Sequence, residues 1–390
     1  MKRNPHFACV SERYLFQEVL KRKEAFLKEH PHAKIISLSI GDTTEPLSKT
    51  IVEGLIESAH SLGKVESYLG YGPEKGQEAL RKKIADALYQ NKVSSDDIFI
   101  SDGAKCDIGR LQILFGSDCT IGLQDPAYPA YLDTAVLFRG PKIHLLPCEP
   151  KNNFFFNIEE MKKVDAVFIC SPNNPTGAIL SKKQLEQAVA FAKKHGKIIV
   201  FDAAYASYVQ GDHLRSIYEI EGAEDVAIEI GSFSKMAGFS GVRLGWTVIP
   251  SSLKFADGHP VKADWSRLIT TFFNGASVLS QKAALSALSH EGLKEIATQV
   301  SFYLENASLL RNAFINLNFE TYGGEHSPYL WVRIPGKTSW QAFQELLDKS
   351  HIITTPGVGF GPQGEGFLRI SSFGRRSHIE EAIERLHKFS

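Results

Sequence analysis

Two rhythms alternate along this chain: short apolar runs of strand length, and longer stretches in which apolar residues return at the helical period. Residues 14–30 carry Leu15, Val19 and Phe26 on one side with Lys and Glu between them, which predicts an amphipathic helix closed by His30-Pro31. Ile35–Ile40 predicts a strand, and the turn-rich stretch Gly41–Pro46 after it reads as a crossover between domains. Tyr68–Arg81 is a glycine-rich loop feeding a helix, with Glu74 placed in that helix's first turn, where the dipole favours a carboxylate. Strands are expected at Ile98–Ser101, Thr120–Gln124, Ala166–Cys170, Lys197–Phe201 and Val226–Ile230, and helices at Ile108–Phe115 and from the Ser181/Gln184 capping box to His195-Gly196. Strand and helix in turn is the βαβ pattern, which builds a parallel sheet.

Trp246–Ile249 should finish that sheet, with a helical stretch following from about Asp264. A long helix from Leu293 towards Phe314, with Ile296, Val300, Leu304 and Ala307 on one face, then leads out of it. Beyond lie strands at Tyr329–Arg333, Ile352–Thr354 and Phe367–Ser371, and helices opening at capping-box patterns near Thr338 and Ser377. The fold class is therefore α/β: a large domain over residues 45–290 with a mostly parallel sheet flanked by helices, and a smaller α+β domain. The smaller one takes the arm and first elements of residues 1–44 together with residues 291–390.

Composition narrows the function. The chain has 390 residues, 43% of them hydrophobic, enough for sizeable cores. Lys plus Arg and Asp plus Glu stand at 44 each, so no net field draws it to nucleic acid or an anionic membrane. Five scattered cysteines without a CxxC pair argue against a disulfide framework or a zinc knuckle and for the reducing cytoplasm. The basic N-terminus meets too short an apolar run for a signal peptide, and no run is long enough for a membrane span. No metal motif is visible. Gly359–Gly364 matches G-x-G-x-x-G but precedes a strand rather than a helix, and Pro362 suits a loop, so it is not read as a dinucleotide site.

The chemistry gathers at strand ends, where open α/β sheets place their ligands. Lys235 follows the Val226–Ile230 strand, flanked by the hydroxyls of Ser232 and Ser234 and, past two glycines, by Arg243. That composition suits covalent anchoring of an aldehyde beside a phosphate, which points to pyridoxal phosphate. Such a site needs an acid at the pyridine nitrogen, donors at the ring oxygen, a stacking face and a cation for the substrate carboxylate. Asp202 can serve as the acid, Tyr205 and Asn174 as donors, and Tyr128 as the face. Arg369 lies inside an apolar strand, where a guanidinium needs an anion. The Asp102–Lys105 turn before a helix is an anion site in outline, and Tyr71 adds a phenol able to reach a phosphate.

Ser171-Pro-Asn-Asn-Pro-Thr-Gly177, Phe201-Asp-Ala-Ala-Tyr205, Ser232-Phe-Ser-Lys235 and Phe367-Leu-Arg-Ile-Ser371, in this order, resemble the fold-type-I pyridoxal-phosphate aminotransferases over nearly the whole chain. Longer stretches, among them Gln124-Asp-Pro-Ala-Tyr-Pro-Ala-Tyr131 and Ser232–Val248, resemble the branch of that family that acts on LL-2,6-diaminopimelate. The resemblance implies that Lys235 binds the cofactor and moves the α-proton, that Asp202 sits on the pyridine nitrogen, and that Asn174 and Tyr205 sit on the ring oxygen. It implies a phosphate held by Ala104, Lys105, Ser232, Ser234 and Arg243, with Tyr71 from a partner subunit, Tyr128 stacked on the ring, and Arg369 on the α-carboxylate. Tyr14, Gly41, Lys105 and Asn274 match substrate-contact positions, Asn274 being counted with the cofactor set as well, and Glu74 is a candidate for the distal ammonium. Where relatives read Ser-Lys at the phosphate turn, Ala104-Lys105 lacks the hydroxyl. The expected activity is amino transfer between LL-2,6-diaminopimelate and 2-oxoglutarate by a homodimer with shared sites. Another transaminase of the family, aromatic or alanine, or a C–S lyase, is the alternative.

Overall fold

The computed structural model describes residues 1–10, 14–140 and 142–388. Its strands are β1 (Ile36–Ser37), β2 (Ile98–Ser101), β3 (Ile121–Asp125), β4 (Ile143–Pro147), β5 (Ala166–Cys170), β6 (Ile198–Asp202), β7 (Ala227–Ser232), β8 (Gly245–Val248), β9 (Thr321–Gly323), β10 (Tyr329–Arg333), β11 (Ile352–Ile353), β12 (Thr355–Pro356) and β13 (Phe367–Ser371). Seven of them form one sheet in the order β2-β8-β7-β6-β5-β3-β4. Only β8 runs against its neighbours, and it slots between β2 and β7 rather than closing an edge. The fold is α/β, as the alternation predicts.

Both faces of this sheet are covered, which is why its central strands read as continuous apolar runs. Alternate residues divide between two cores. Val167, Ile169, Ile199 and Phe201 pack with Leu185, Ala188 and Val189 of the helix Lys182–His195. Phe168, Val200, Ile228 and Ile230 face the other way, against Ile108 and Leu111 of the helix Ala104–Phe115 and Trp265 and Ile269 of the helix Val261–Phe272. A one-residue slip in any central strand would exchange these two sets.

The second body is an antiparallel sheet, β12-β13-β10-β9, with the two-stranded parallel pair β1-β11 beside it. Leu330, Val332, Leu368 and Ile370 form its core with Leu346, Leu347 and Ile379, and the chain's first helix (Leu15–Glu29) contributes Val19 and Phe26. The helix His290–Asn316 buries Ile296, Val300, Tyr303, Ala307, Leu310 and Phe314, so its stripe runs through Tyr303 where the sequence suggests Leu304.

Several local expectations fail for tertiary reasons. The helix expected near Ser377 forms as Arg376–Leu386, but without the expected capping box: its N-cap is Arg375, which makes no side-chain bond. Asn306 fixes the entry instead, its amide donating to the carbonyls of Ser372 (3.3 Å) and Gly374 (2.9 Å). Glu74 is not in a helical first turn. The helix there is Glu78–Tyr89, because the Ile100 N–H donates to the Lys75 carbonyl (2.9 Å) and Gly76 turns at φ 87°. Of the stretch Ile352–Thr354 only Ile352–Ile353 is strand, as β11, with β12 starting at Thr355, and only Ile36–Ser37 of residues 35–40 is strand-paired. Strands β4 and β9 go unforeseen; both are short and half-exposed, without the apolar continuity of the central strands. The Thr338 and Ser181 capping boxes form as expected.

Gly231 on β7 faces Trp246 on β8 so closely that a Cβ would stand 2.0 Å from the indole. Trp246 Nε1 donates to the Tyr89 hydroxyl (2.8 Å), which donates to the buried Glu229 carboxylate (2.7 Å). Gly231→Ala is therefore expected to cost about 1–3 kcal/mol by overpacking. Gly109→Ala, where a Cβ meets nothing within 4 Å inside a helix, should gain about 0.5–1 kcal/mol. Thermal unfolding of both variants checks this; a Gly231→Ala midpoint equal to that of the parent contradicts the packing.

Candidate active site

At the carboxyl ends of β2, β3, β5, β6 and β7 the sheet opens onto a cavity of about 710 Å³. Most residues singled out by sequence line it: Gly41, Ala104, Lys105, Tyr128, Asn174, Asp202, Tyr205, Ser232, Ser234, Lys235, Arg243 and Arg369. The strand order reverses between β3 and β5, the kind of switch point at which such sheets bind ligands.

Lys235 lies in a single helical turn, Phe233–Met236, just after β7, with Ser232 as its N-cap accepting from the Ser234 N–H (3.1 Å). Its Nζ donates to the Gly41 carbonyl and stands 3.8 Å from Asp42. Burial, with some help from Arg369 and Arg243, pushes its pKa down to about 8, although Asp42 pulls the other way. Asp202 ends β6 and is 5% exposed. Among the described residues its partners are neutral, the Tyr131 hydroxyl (2.6 Å) and the Ala204 N–H (2.9 Å), and burial raises its pKa. A buried carboxylate so placed calls for a cation from the cavity.

The same cavity holds an anion cradle. The helix Ala104–Phe115 starts after Gly103, with no side chain capping its first N–H groups. Gly103 has φ 122°, and a Cβ there would sit 2.4 Å from the Arg243 guanidinium. Arg243 itself adopts φ 68°, a left-handed strain found at a non-glycine residue beside the site. Backbone N–H groups, Arg243 and the serine hydroxyls together provide what a phosphate requires, and the Ala104 methyl leaves the cradle to backbone donors.

Arg369 is wholly buried on β13. It donates to Asn174 Oδ1 (2.9 Å), the Ser39 carbonyl (2.8 Å) and Thr355 Oγ1 (3.4 Å), and its Nε has no hydrogen-bond partner among the described residues. It lies against aromatic faces, with the ring centres of Tyr329 4.4 Å and Phe360 5.0 Å from Cζ. Tyr205 is buried, its hydroxyl 2.9 Å from that of Tyr329. Lys105 Nζ lies 5.5 Å from the Tyr128 ring centre and 5.1 Å from that of Tyr14, whose hydroxyl is buried without a partner among the described residues. Tyr14 stands behind this wall, lining the neighbouring cavity.

Three expected residues are not brought to this cavity by their own chain. Tyr71 is 89% exposed, and Glu74 and Asn274 are exposed too. They lie near one another, since a Cβ on Gly275 would stand 3.4 Å from the Pro73 carbonyl and 4.0 Å from Glu74 Cα. Sequence reasoning in turn missed the roles open to Tyr131 and Tyr329. Tyr131 could have been found from its i, i+3 spacing to Tyr128, which sets both rings on one side of a helix start. Tyr329 needed the strand register.

The sequence profile of the family Aminotransferase class I and II matches residues 33–386. The chain belongs to that family. Among its relatives, LL-diaminopimelate aminotransferase of Protochlamydia amoebophila is 50% identical, the match covering 99% of this chain and 97% of that protein. The chloroplastic LL-diaminopimelate aminotransferase of Arabidopsis thaliana is 48% identical over 99% of this chain and 86% of its own length. The solved structure of L,L-diaminopimelate aminotransferase from Chlamydomonas reinhardtii superposes with a TM-score of 0.95 at 49% identity, covering 100% of this chain and 98% of that one. As a class I and II aminotransferase, the chain takes amino and 2-oxo acids as substrates, and the free amine of Lys235 becomes the group to test.

If burial sets the Lys235 pKa, the neutral fraction of its amine rises through about pH 8 rather than 10.5. Acylation of the cofactor-free protein, followed by mass spectrometry of the Lys235 peptide, should show a half-maximal rate near that pH. A midpoint near 10.5, the ordinary lysine value, contradicts the account.

Proposed function

We propose that this aminotransferase uses pyridoxal phosphate to exchange an amino group between LL-2,6-diaminopimelate and 2-oxoglutarate, with tetrahydrodipicolinate and glutamate on the other side, in lysine and peptidoglycan precursor synthesis. The observation that carries the reading is the cavity's charge pattern. Its lining combines an uncapped helix start and Arg243, a buried carboxylate whose partners among the described residues are neutral, and a buried guanidinium with no carboxylate beside it among the described residues. Those are the three charges of a phosphate, a protonated ring nitrogen and a substrate carboxylate, each with its complement waiting. Relatives about half identical over nearly the full chain support the substrate.

Pyridoxal phosphate, when bound, supplies an electron-withdrawing ring that stabilises negative charge at the substrate's α-carbon. Lys235 Nζ holds the cofactor covalently and, when free, moves the α-proton; its lowered pKa leaves neutral amine available near neutral pH. Asp202, held by Tyr131, keeps a proton on the ring nitrogen. Tyr205 and Asn174 serve the ring oxygen, and Asn174 also steers Arg369 towards a bidentate grip on the α-carboxylate. Tyr128, on the cavity wall, would offer its face to the ring. Lys105 and the Gly41 carbonyl line the cavity for the distal end of the substrate, and Tyr14 backs Lys105 from behind the wall.

The active unit is a homodimer. Val65 (93% exposed), Tyr68, Leu69, Tyr71 and Phe272 leave an apolar surface uncovered. A second copy placed on it by a two-fold axis brings Tyr71, Glu74 and Asn274 to the neighbour's cavity, completing the phosphate and distal-ammonium contacts. Five unpaired thiols fit the cytoplasm. Among the described residues no helix is long and apolar enough to cross a membrane.

Steady-state assays with 2-oxoglutarate as acceptor test the substrate. kcat/KM for LL-diaminopimelate should exceed that for alanine or an aromatic amino acid by about 100-fold or more, because only the former satisfies the distal polar groups. Preference for either competitor would replace this reading with the corresponding transaminase. Mixing inactive Tyr71→Ala and Lys235→Ala chains tests the shared site: verified heterodimers should regain one working site, and heterodimers without activity would contradict sharing.

A further inference from the structure

Tyr329, which none of the motifs singles out, sits where three parts of the site meet. Its hydroxyl lies 2.9 Å from that of Tyr205, its ring centre is 4.4 Å from Arg369 Cζ, and a Cβ on Gly41 would stand 3.3 Å from its oxygen. Only 1% of its surface is exposed. Strand pairing dictates the placement. On β10 and β13, Tyr329 pairs with Ser371 and Trp331 with Arg369, so Tyr329 and Arg369 are diagonal neighbours on one face of the sheet. Phe373 packs edge-on to the ring, 6.0 Å away at 88°, and fixes its tilt.

We propose that Tyr329 is a positioning residue that couples the carboxylate-binding Arg369 to the Tyr205 hydroxyl, an inference that rests on the transaminase reading above. A phenol has one proton to give. With the Tyr205 proton committed to the cofactor's ring oxygen, the Tyr205 oxygen must accept, and Tyr329 is the donor. Burial pushes both phenols' pKa values up, so both keep their protons in the working range. Bonds in such a chain polarise one another, so the Tyr329 proton makes Tyr205 the stronger donor. The same ring gives the Arg369 guanidinium an electron-rich face in place of a carboxylate. A carboxylate docking on Arg369 is thus one ring away from the group that tunes the cofactor's oxygen.

The two functions separate by mutation in the holoenzyme. Tyr329→Phe keeps the ring and removes the donor; Tyr329→Leu removes both. For Tyr329→Phe, KM for LL-diaminopimelate should stay within about twofold while kcat falls about fivefold. The pH midpoint of the bound cofactor's visible absorbance should rise by at least ~0.3. A weaker Tyr205 donor leaves more negative charge on the ring oxygen, which holds the proton on Lys235 Nζ more tightly. Tyr329→Leu should in addition raise KM about tenfold. An unmoved midpoint in Tyr329→Phe, whatever its thermal stability, overturns the coupling, and so does a KM that rises equally in both variants. A wild-type chain that binds no cofactor would overturn both readings, whereas a normal wild-type titration beside an unmoved Tyr329→Phe overturns this one alone.

Discussion

Arg369 has no exposed surface and, among the described residues, no carboxylate beside it, a costly state for a guanidinium, and much of the architecture around the cavity serves to hold it. Arg369 is held by donating to a backbone carbonyl, an amide oxygen and a hydroxyl, and by lying among aromatic faces. Those partners come from both ends of the chain and from the large sheet: Ser39 follows β1, Asn174 follows β5, Tyr329 starts β10, and Thr355 starts β12. The guanidinium therefore ties the two bodies of the fold together at the cavity. Its unmet Nε marks the direction from which an anion completes it.

The remaining charges follow the same logic. Lys235 has lost part of its proton affinity to burial, and Asp202 has been driven towards its neutral form. Each is poised for a partner that the protein itself does not supply. A helix start without a cap completes the set. A binding site is expected to look like this: groups left unsatisfied by their own chain, held rigid at strand ends by a sheet whose two faces are fully packed.

What could be read from sequence divides along physical lines. Lys235, Asp202 and Asn174 were legible because each sits in a short polar motif attached to an apolar run, and Arg369 because a guanidinium inside an apolar strand needs an anion. Local rules failed where a distant contact decides the outcome. Ser377 has the form of a cap, but Asn306 fixes the chain one turn earlier. Glu74 reads as helical, but the backbone there bonds to the edge of β2. Tyr329 carries no local signal, since its meaning arises only when β10 is laid against β13 in register. Tyr71 and Asn274 are a further class: their own chain leaves them exposed and outside the cavity lining, and it is the proposed homodimer that gives them a role.

The central claim is that this cavity holds pyridoxal phosphate on Lys235. The most direct measurement is to load the chain with the cofactor, reduce it with borohydride, digest it and map the modified lysine by mass spectrometry. One phosphopyridoxyl group per chain, carried by the peptide that contains Lys235, is the predicted result. Label spread over exposed lysines, or none retained, would contradict it.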